Sequence, residues 1–244
     1  MTTLLVIVVA AGRSRRMAAA GTSTNKLLLE AGGRTVLAHT LGAFESHPRV
    51  ARIYITASED DLETYRALIV AEGLTKVAAV ILGGRERQES VHLALRHVAT
   101  HDEDAAGDPL VAIHDGARPL ITAERLSAVF DAADAEALTS GGGALLCVPA
   151  KETLKRVSGD VVLETVPREQ MMVAQTPQVF PLKTLLSAHA TAEGAGFSAT
   201  DDAMLVEYAG KPVRVVLGDY ENLKITTPED LVMLEGILAR REAR

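Results

Sequence analysis

The sequence predicts an α/β protein in three layers (α/β/α), a mostly parallel twisted sheet between two sets of helices, with one β-hairpin arm. Three observations carry that prediction. Short β-branched or aliphatic runs recur along the 244 residues, segments with helical periodicity separate them, and one segment alone departs from this alternation with a hairpin pattern. Strands alternating with helices imply right-handed crossovers, and so a mostly parallel sheet covered on both faces. A chain of this length buries a sizeable core and often forms one domain. Residues 1–244 are therefore expected to make a single domain, with 150–172 as the arm.

The runs are LLVIVVA (4–10), ARIYIT (51–56), VAAVIL (77–82), LVAIH (110–114), ALLCVP (144–149) and VRVVLG (213–218). Most have the unbroken apolar character of strands buried on both faces. After the second run, Ser58 reads as a helix cap with Asp61 three residues on; Leu62, Tyr65, Leu68 and Ile69 then follow on one face up to Ala71. TLKRV (153–157), SGD (158–160) and VVLETV (161–166) read as the hairpin, with a glycine in its turn. By these rules alone, an edge hairpin folded back on its own domain is favoured over a projecting one. Near the end, Thr227 is placed as a cap, Pro228 at the first helical position and Glu229 and Asp230 in the first turn.

Composition narrows the function. The chain is 48% hydrophobic with a formal net charge of −7, which argues for a globular protein and against disorder. Cys147 is the only cysteine, so no intrachain disulfide and no cysteine metal cluster is expected. An acidic chain with no Trp and 3% aromatic residues lacks the basic face and stacking platforms of nucleic-acid binders. The apolar stretch 4–11 is too short to span a bilayer and has neither the basic start nor the cleavage site of a secretory signal. No membrane partner and a cytoplasmic location follow as expectations. Positive charge is local instead, at Arg13, Arg15 and Arg16 and again at Arg85 and Arg87, which suits a small anionic ligand.

In parallel sheets, ligands sit beyond the carboxyl ends of the strands. That rule selects the loops after 4–10, 77–82, 110–114 and 213–218. The first fits neither common phosphate motif. After Gly12 no further glycine occurs until Gly21, which excludes the dinucleotide fingerprint; Met17, Ala18 and Ala19 occupy the Gly, Lys and Ser/Thr positions of a P-loop. What remains is the small-residue turn Ala10-Ala11-Gly12, guanidinium groups, and then Lys26. On these residues alone, a solvated basic loop competes with an anion cradle.

The segment AAGRSRRM (10–17) with Lys26 resembles the signature of nucleotidyltransferases that load a sugar or polyol phosphate onto a nucleoside triphosphate. With GGRERQESV (83–91), HDGARP (114–119), ETLKRV (152–157), TPQ (176–178), TDDA (200–203) and LKITTPEDL (223–231), the chain is similar, in order and spacing, to the 2-C-methyl-D-erythritol 4-phosphate cytidylyltransferase family. The similarity runs from Val8 to Leu231. It implies a Rossmann-like fold and attack by the phosphate of a polyol phosphate on the α-phosphorus of CTP. A phosphate monoester has a second pKa of about 6 and is already largely dianionic at neutral pH, so the reaction needs no general base. Cations that position two anions and stabilise charge at phosphorus are needed instead.

By the same resemblance, Arg16, Lys26 and Lys224 are the catalytic cations. Ala10, Ala11 and Gly12 give close backbone approach to the triphosphate; Gly84, Arg85 and Ser90 read cytosine; Asp115 and Gly116 lie near the ribose. Thr153, Arg168, Thr176, Thr200, Arg118 and again Lys224 match the part that holds the polyol phosphate. Magnesium, or another divalent cation, is expected to be held mainly by phosphates and waters, with Asp115 an indirect partner. The resemblance makes the arm a projecting one, expected to complete the neighbour's site in a homodimer. His114 is read as a structural strand-end residue, and Asp201 and Asp202 receive no chemistry. Departures from the family pattern are Ser14 for glycine, Asn25-Lys26-Leu27 for Pro-Lys-Gln, and Gly116 for alanine. They leave a related polyol-phosphate substrate as an alternative. The chain ends soon after its last helix, so a single activity, without a fused cyclase domain, is expected.

Overall fold

Leu4 to Val8, in the strand β1 (Leu4–Val9), are wholly buried, because a strand flanked on both sides and covered on both faces offers no place for a polar residue. The computed structural model describes residues 3–12 and 25–243. A two-residue hairpin, β2 (Glu30–Ala31) with β3 (Arg34–Thr35), leads into α1 (Val36–Glu45). Then follow β4 (Val50–Ala57), α2 (Leu62–Ala71), β5 (Val77–Leu82), α3 (Arg87–His101), β6 (Leu110–Asp115), α4 (Ala123–Ser140) and β7 (Gly143–Pro149). The second half holds β8 (Leu154–Ser158), β9 (Val161–Val166), β10 (Met172–Pro181), α5 (Leu182–Ala195), α6 (Asp202–Tyr208), β11 (Val213–Leu217) and α7 (Pro228–Glu242).

The main sheet runs β11-β7-β10-β6-β1-β4-β5, and only β10 is antiparallel to its neighbours. Alternate residues of β1 serve the two faces. Leu4, Val6 and Val8 join Phe44, Tyr65 and Phe130 on one side; Leu5 and Ile7 join Val91, Leu95 and Leu185 on the other. The expected three layers are present. The edge strands β5 and β11 are half-buried or exposed along their length, unlike the central runs.

The sequence reading assigned no strand to 172–181. Pro177, Gln175, Thr176 and Gln178 hide it, since proline and buried polar side chains are rare within a sheet. These polar groups are satisfied internally: Gln175 Nε2 donates to the Asp219 carbonyl at 2.8 Å, and Gln178 Oε1 accepts the Asp202 and Ala203 N–H groups at 3.0 and 2.9 Å. Ser58 also differs from expectation. A 3-10 turn, Glu59–Asp61, precedes α2, and the Ser58 hydroxyl donates to the Asp61 carboxylate at 2.5 Å instead of capping a backbone N–H. At α7 the expected start is present, with Asp230 accepting the Thr226 and Thr227 N–H groups at 2.7 and 2.8 Å.

β8 and β9 pair only with each other, around Gly159 at φ +59, and every residue of the two strands except Leu154 and Val166 is exposed. The hairpin projects; it does not fold back as the turn and strand rules alone favoured. No helix among the described residues is long and apolar enough to cross a membrane.

Candidate active site

All four loops selected from the sequence meet at one cleft of about 990 Å³ beyond the carboxyl ends of β1, β5 and β6. Val9 to Gly12, Leu82 to Arg87 with Glu89 and Ser90, Asp115 with Ala117, and Lys224 with Thr226 line it, together with Lys26. The first turn is pinned at its root: the Ala10 N–H reaches Thr56 O at 3.1 Å and Thr56 Oγ1 at 3.2 Å. Gly83 is packed so closely that a Cβ there would lie 2.3 Å from the Ala11 Cβ, so glycine is what lets the first and second loops touch. Arg13, Ser14, Arg15 and the expected catalytic Arg16 lie outside the described residues.

Two lysines from opposite ends of the chain stand at this cleft. Lys26, in the 3-10 turn Lys26–Leu28, donates through Nζ to the Ile225 carbonyl at 2.7 Å. Lys224, one residue earlier than that carbonyl, places its Nζ 2.8 Å from Asp115 Oδ2. Asp115 ends β6 in a nearly buried position, with Arg87 Nε 3.5 Å from Oδ1 and Arg118 Nε 3.6 Å from Oδ2. Burial opposes ionisation of its carboxyl, but the charges of Lys224, Arg87 and Arg118 outweigh it and hold the group well below the usual carboxylate range.

Arg87 continues the chain of charge inward. Its Nη1 lies 2.7 Å from Oδ2 of the fully buried Asp202, whose other oxygen is 3.7 Å from His189 Nε2. Asp202 is likewise held ionised, against its burial, chiefly by Arg87. Asp201 serves as the α6 cap, accepting the Met204 N–H at 2.9 Å. Behind Asp115, the Thr176 hydroxyl accepts the Asp115 N–H at 3.1 Å and meets His114 Nδ1 at 3.1 Å. His114 Nε2 lies 3.1 Å from the Arg118 carbonyl, which can only accept, so Nε2 carries the proton and Nδ1 accepts from Thr176. With both ring nitrogens spent and the ring buried, His114 is structural.

On the second loop, the Ser90 hydroxyl accepts the Gly84 N–H at 3.0 Å and donates to the Glu86 carbonyl at 2.9 Å. Its one proton is therefore used, and Ser90 shapes the loop while keeping a single lone pair. Glu89 accepts the Arg85 N–H at 2.7 Å. The Gly116 N–H donates to Val9 O at 3.0 Å, and a Cβ on Gly116 would lie 3.2 Å from that oxygen.

The family model for 2-C-methyl-D-erythritol 4-phosphate cytidylyltransferase (IspD) matches residues 4–240. The chain belongs to that family. A cytidylyltransferase of this name from Geotalea uraniireducens is 45% identical over 219 residues, 89% of this chain and 90% of that one. Another, from Halalkalibacterium halodurans, is 42% identical over 220 residues, covering 90% and 91% of the two chains. The crystal structure of the cytidylyltransferase from Thermus thermophilus matches with a TM-score of 0.74 at 33% identity, over 98% of this chain and 100% of that one.

Several residues matched to the cytidylyltransferase site do not themselves line this cleft. Thr153, Arg168, Thr176, Thr200 and Arg118 are not among its lining residues. Thr153 and Arg168 are exposed on the arm, where Arg168 Nη1 donates to the Lys151 carbonyl at 2.6 Å; Thr200 is exposed just before α6. Arg118 Nη1 donates to the Asn222 carbonyl at 2.7 Å, and its Nε lies 3.6 Å from Asp115 Oδ2. Arg118 and Thr176 thus both touch Asp115, which lines the cleft. Sequence reasoning missed Arg87 and Asp202 as a buried pair, because nothing in local periodicity joins residues so far apart along the chain.

Among the described residues no group of three or more His, Cys, Asp or Glu side chains could hold a metal ion. Both Asp115 oxygens already face cations, so this carboxylate does not fit direct metal ligation. It fits an indirect role, accepting from the water shell of a cation carried by phosphates.

Proposed function

We propose that the cleft joins CTP to 2-C-methyl-D-erythritol 4-phosphate, giving 4-diphosphocytidyl-2-C-methyl-D-erythritol and pyrophosphate. An oxygen of the polyol phosphate forms a bond to the α-phosphorus as the bond to the leaving pyrophosphate breaks. One observation carries this reading: in a chain of this family, Lys26, bonded to the Ile225 carbonyl, and Lys224, bonded to Asp115, line one strand-end cleft with the Ala10-Ala11-Gly12 turn. Two fixed ammonium groups offset the repulsion between the reacting anions and stabilise the charge that develops at phosphorus. Lys224 bonded to Asp115 is preorganised rather than neutralised, since a phosphate brings more charge than the carboxylate it competes with. Arg16 is assigned a third share of this work from its sequence match.

Ala10, Ala11 and Gly12 present backbone to the triphosphate, Gly84, Arg85 and Ser90 to cytosine, and Asp115 and Gly116 to the ribose. Magnesium, or another divalent cation, would be carried by the phosphates and waters, with Asp115 beside its waters, and would supply further neutralisation of the triphosphate. Thr153 and Arg168 grip the polyol phosphate from the arm of a second copy in a homodimer, and Thr200 is assigned to the same substrate by its sequence match. The exposed apolar residues of the arm support this arrangement, as does the pairing of β8 and β9, among the described residues, with each other alone. A cytoplasmic setting belongs to the same reading, supported by the lone cysteine, Cys147, a buried free thiol. Pyrophosphate release with CTP, UTP and GTP, each with the polyol phosphate, tests the reading. Release that is greatest with CTP is expected; release with another nucleotide alone, or with none, would overturn it.

A further inference from the structure

Asn25, the neighbour of Lys26, is tied to α2 by a hydrogen-bond relay that the chemistry above does not use. Asn25 Nδ2 donates to Asp61 Oδ2 at 2.9 Å and to the Tyr65 hydroxyl at 2.9 Å. The Tyr65 hydroxyl donates in turn to the Ala10 carbonyl at 3.2 Å. Ser58 donates to the same Asp61 oxygen at 2.5 Å, and Asn25 Oδ1 accepts the Leu27 N–H at 3.0 Å. Both amide protons of Asn25 and both hydroxyl protons have acceptors, so the relay is satisfied throughout. Tyr65 is wholly buried, and burial raises its phenol above the ordinary range, so the hydroxyl stays protonated and remains a donor. One phenol thus connects the root of the anion-facing turn to the residue beside a reacting cation.

We propose that Asn25 and Tyr65, with Asp61 behind them, are positioning residues that hold Lys26 and the Ala10-Ala11-Gly12 turn at their working separation. The relay touches no substrate and acts only through these two elements, so the inference rests on the nucleotidyl-transfer reading. A misplacement of about 1 Å in such a site costs up to about 100-fold in rate. Substrate affinity is spread over many other groups and changes less. The relay's members act as one unit, so removing a second member after the first adds little.

The test is a double-mutant cycle of Tyr65→Phe and Asn25→Ala, with kcat and KM for CTP from pyrophosphate release and the thermal midpoint of each protein. Tyr65→Phe is expected to lower kcat about tenfold, with KM changed less than kcat and the midpoint close to wild type. Asn25→Ala is expected to do the same, and the double variant to be little worse than either. The proposal is overturned if folded Tyr65→Phe keeps the wild-type kcat, or if the double loss equals the product of the single losses. A fall in kcat that merely tracks the unfolded fraction overturns it too. Wild-type protein that releases no pyrophosphate overturns the functional reading instead, which separates the two failures.

Discussion

At the carboxyl edge of the sheet, charged side chains are partnered within the chain: Lys224 and Arg118 with Asp115, Arg87 with Asp115 and Asp202, Lys26 with the Ile225 carbonyl. On the arm the pattern is reversed. Val157, Val161, Val162 and Leu163 are each more than half exposed, and Thr153 and Arg168 face solvent beside them. The cleft is preorganised by its own chain, so binding a substrate there costs little further ordering. An arm this apolar stands to gain from burial, at about 1.5–3 kcal/mol per large aliphatic side chain, and nothing among the described residues supplies it. The contrast is what the proposed division of labour rests on: a cleft that one chain builds for the nucleotide, and an exposed arm offered to a second copy.

That contrast is most exposed to attack at Asp202. Truncating it in Asp202→Ala leaves Arg87 without its buried counter-charge, and a loss of about 3–5 kcal/mol in urea unfolding is expected. An unchanged midpoint would mean that the cleft is not held by its charges. Next is Lys26→Ala, expected to slow pyrophosphate release by about 10²- to 10³-fold, equivalent to about 2.7–4 kcal/mol, with the fold intact by circular dichroism. Activity within threefold of wild type would remove the lysine from the chemistry.

A third effect, of about 3 kcal/mol at most, comes from pH. Burial pushes the His114 imidazole down to about 4, so the unfolded chain takes up this proton near pH 6.5 and the folded chain does so only near 4. Stability from this group is complete above pH 6.5 and drains away as the pH falls towards 4. Asp115 and Asp202, held ionised in the fold, add their losses only at more acidic pH. Urea midpoints between pH 7 and 4.5 are expected to fall for wild type and to flatten for His114→Gln. Smallest in folding energy is Leu163→Asp on the arm, expected to change unfolding by less than about 0.5 kcal/mol while shifting sedimentation towards monomer. A dimer that survives this change would show that the arm is not the contact.

The legible parts of the molecule were those with local signatures. Continuous aliphatic runs marked the central strands, the Gly159 turn marked the hairpin, and Thr227 with Pro228 marked the last helix. The loops that line the cleft followed from strand direction alone. β10 was not legible, since Gln175, Thr176 and Gln178 are buried only because Asp219, Asp115 and residues of α6 satisfy them from afar. Arg118 and Thr176 were matched to the substrate by motif; that Arg118 Nη1 meets the Asn222 carbonyl and the Thr176 hydroxyl meets His114 Nδ1 is something no spacing reveals. Tyr65 read as one apolar position on a helix face. Its hydroxyl acquired a role only through Ala10 and Asn25, far away in sequence.

Co-expression of Lys26→Ala with Arg168→Ala tests the division of labour between cleft and arm most directly. Each variant alone is expected to be nearly inactive. If the arm completes the neighbour's site, a mixed dimer carries one intact cleft facing one intact arm, and the mixture regains up to about a quarter of wild-type pyrophosphate release. If the mixture stays as inactive as its components while mixed dimers are shown to form, each arm serves its own chain, and the sharing of one site between two copies is contradicted.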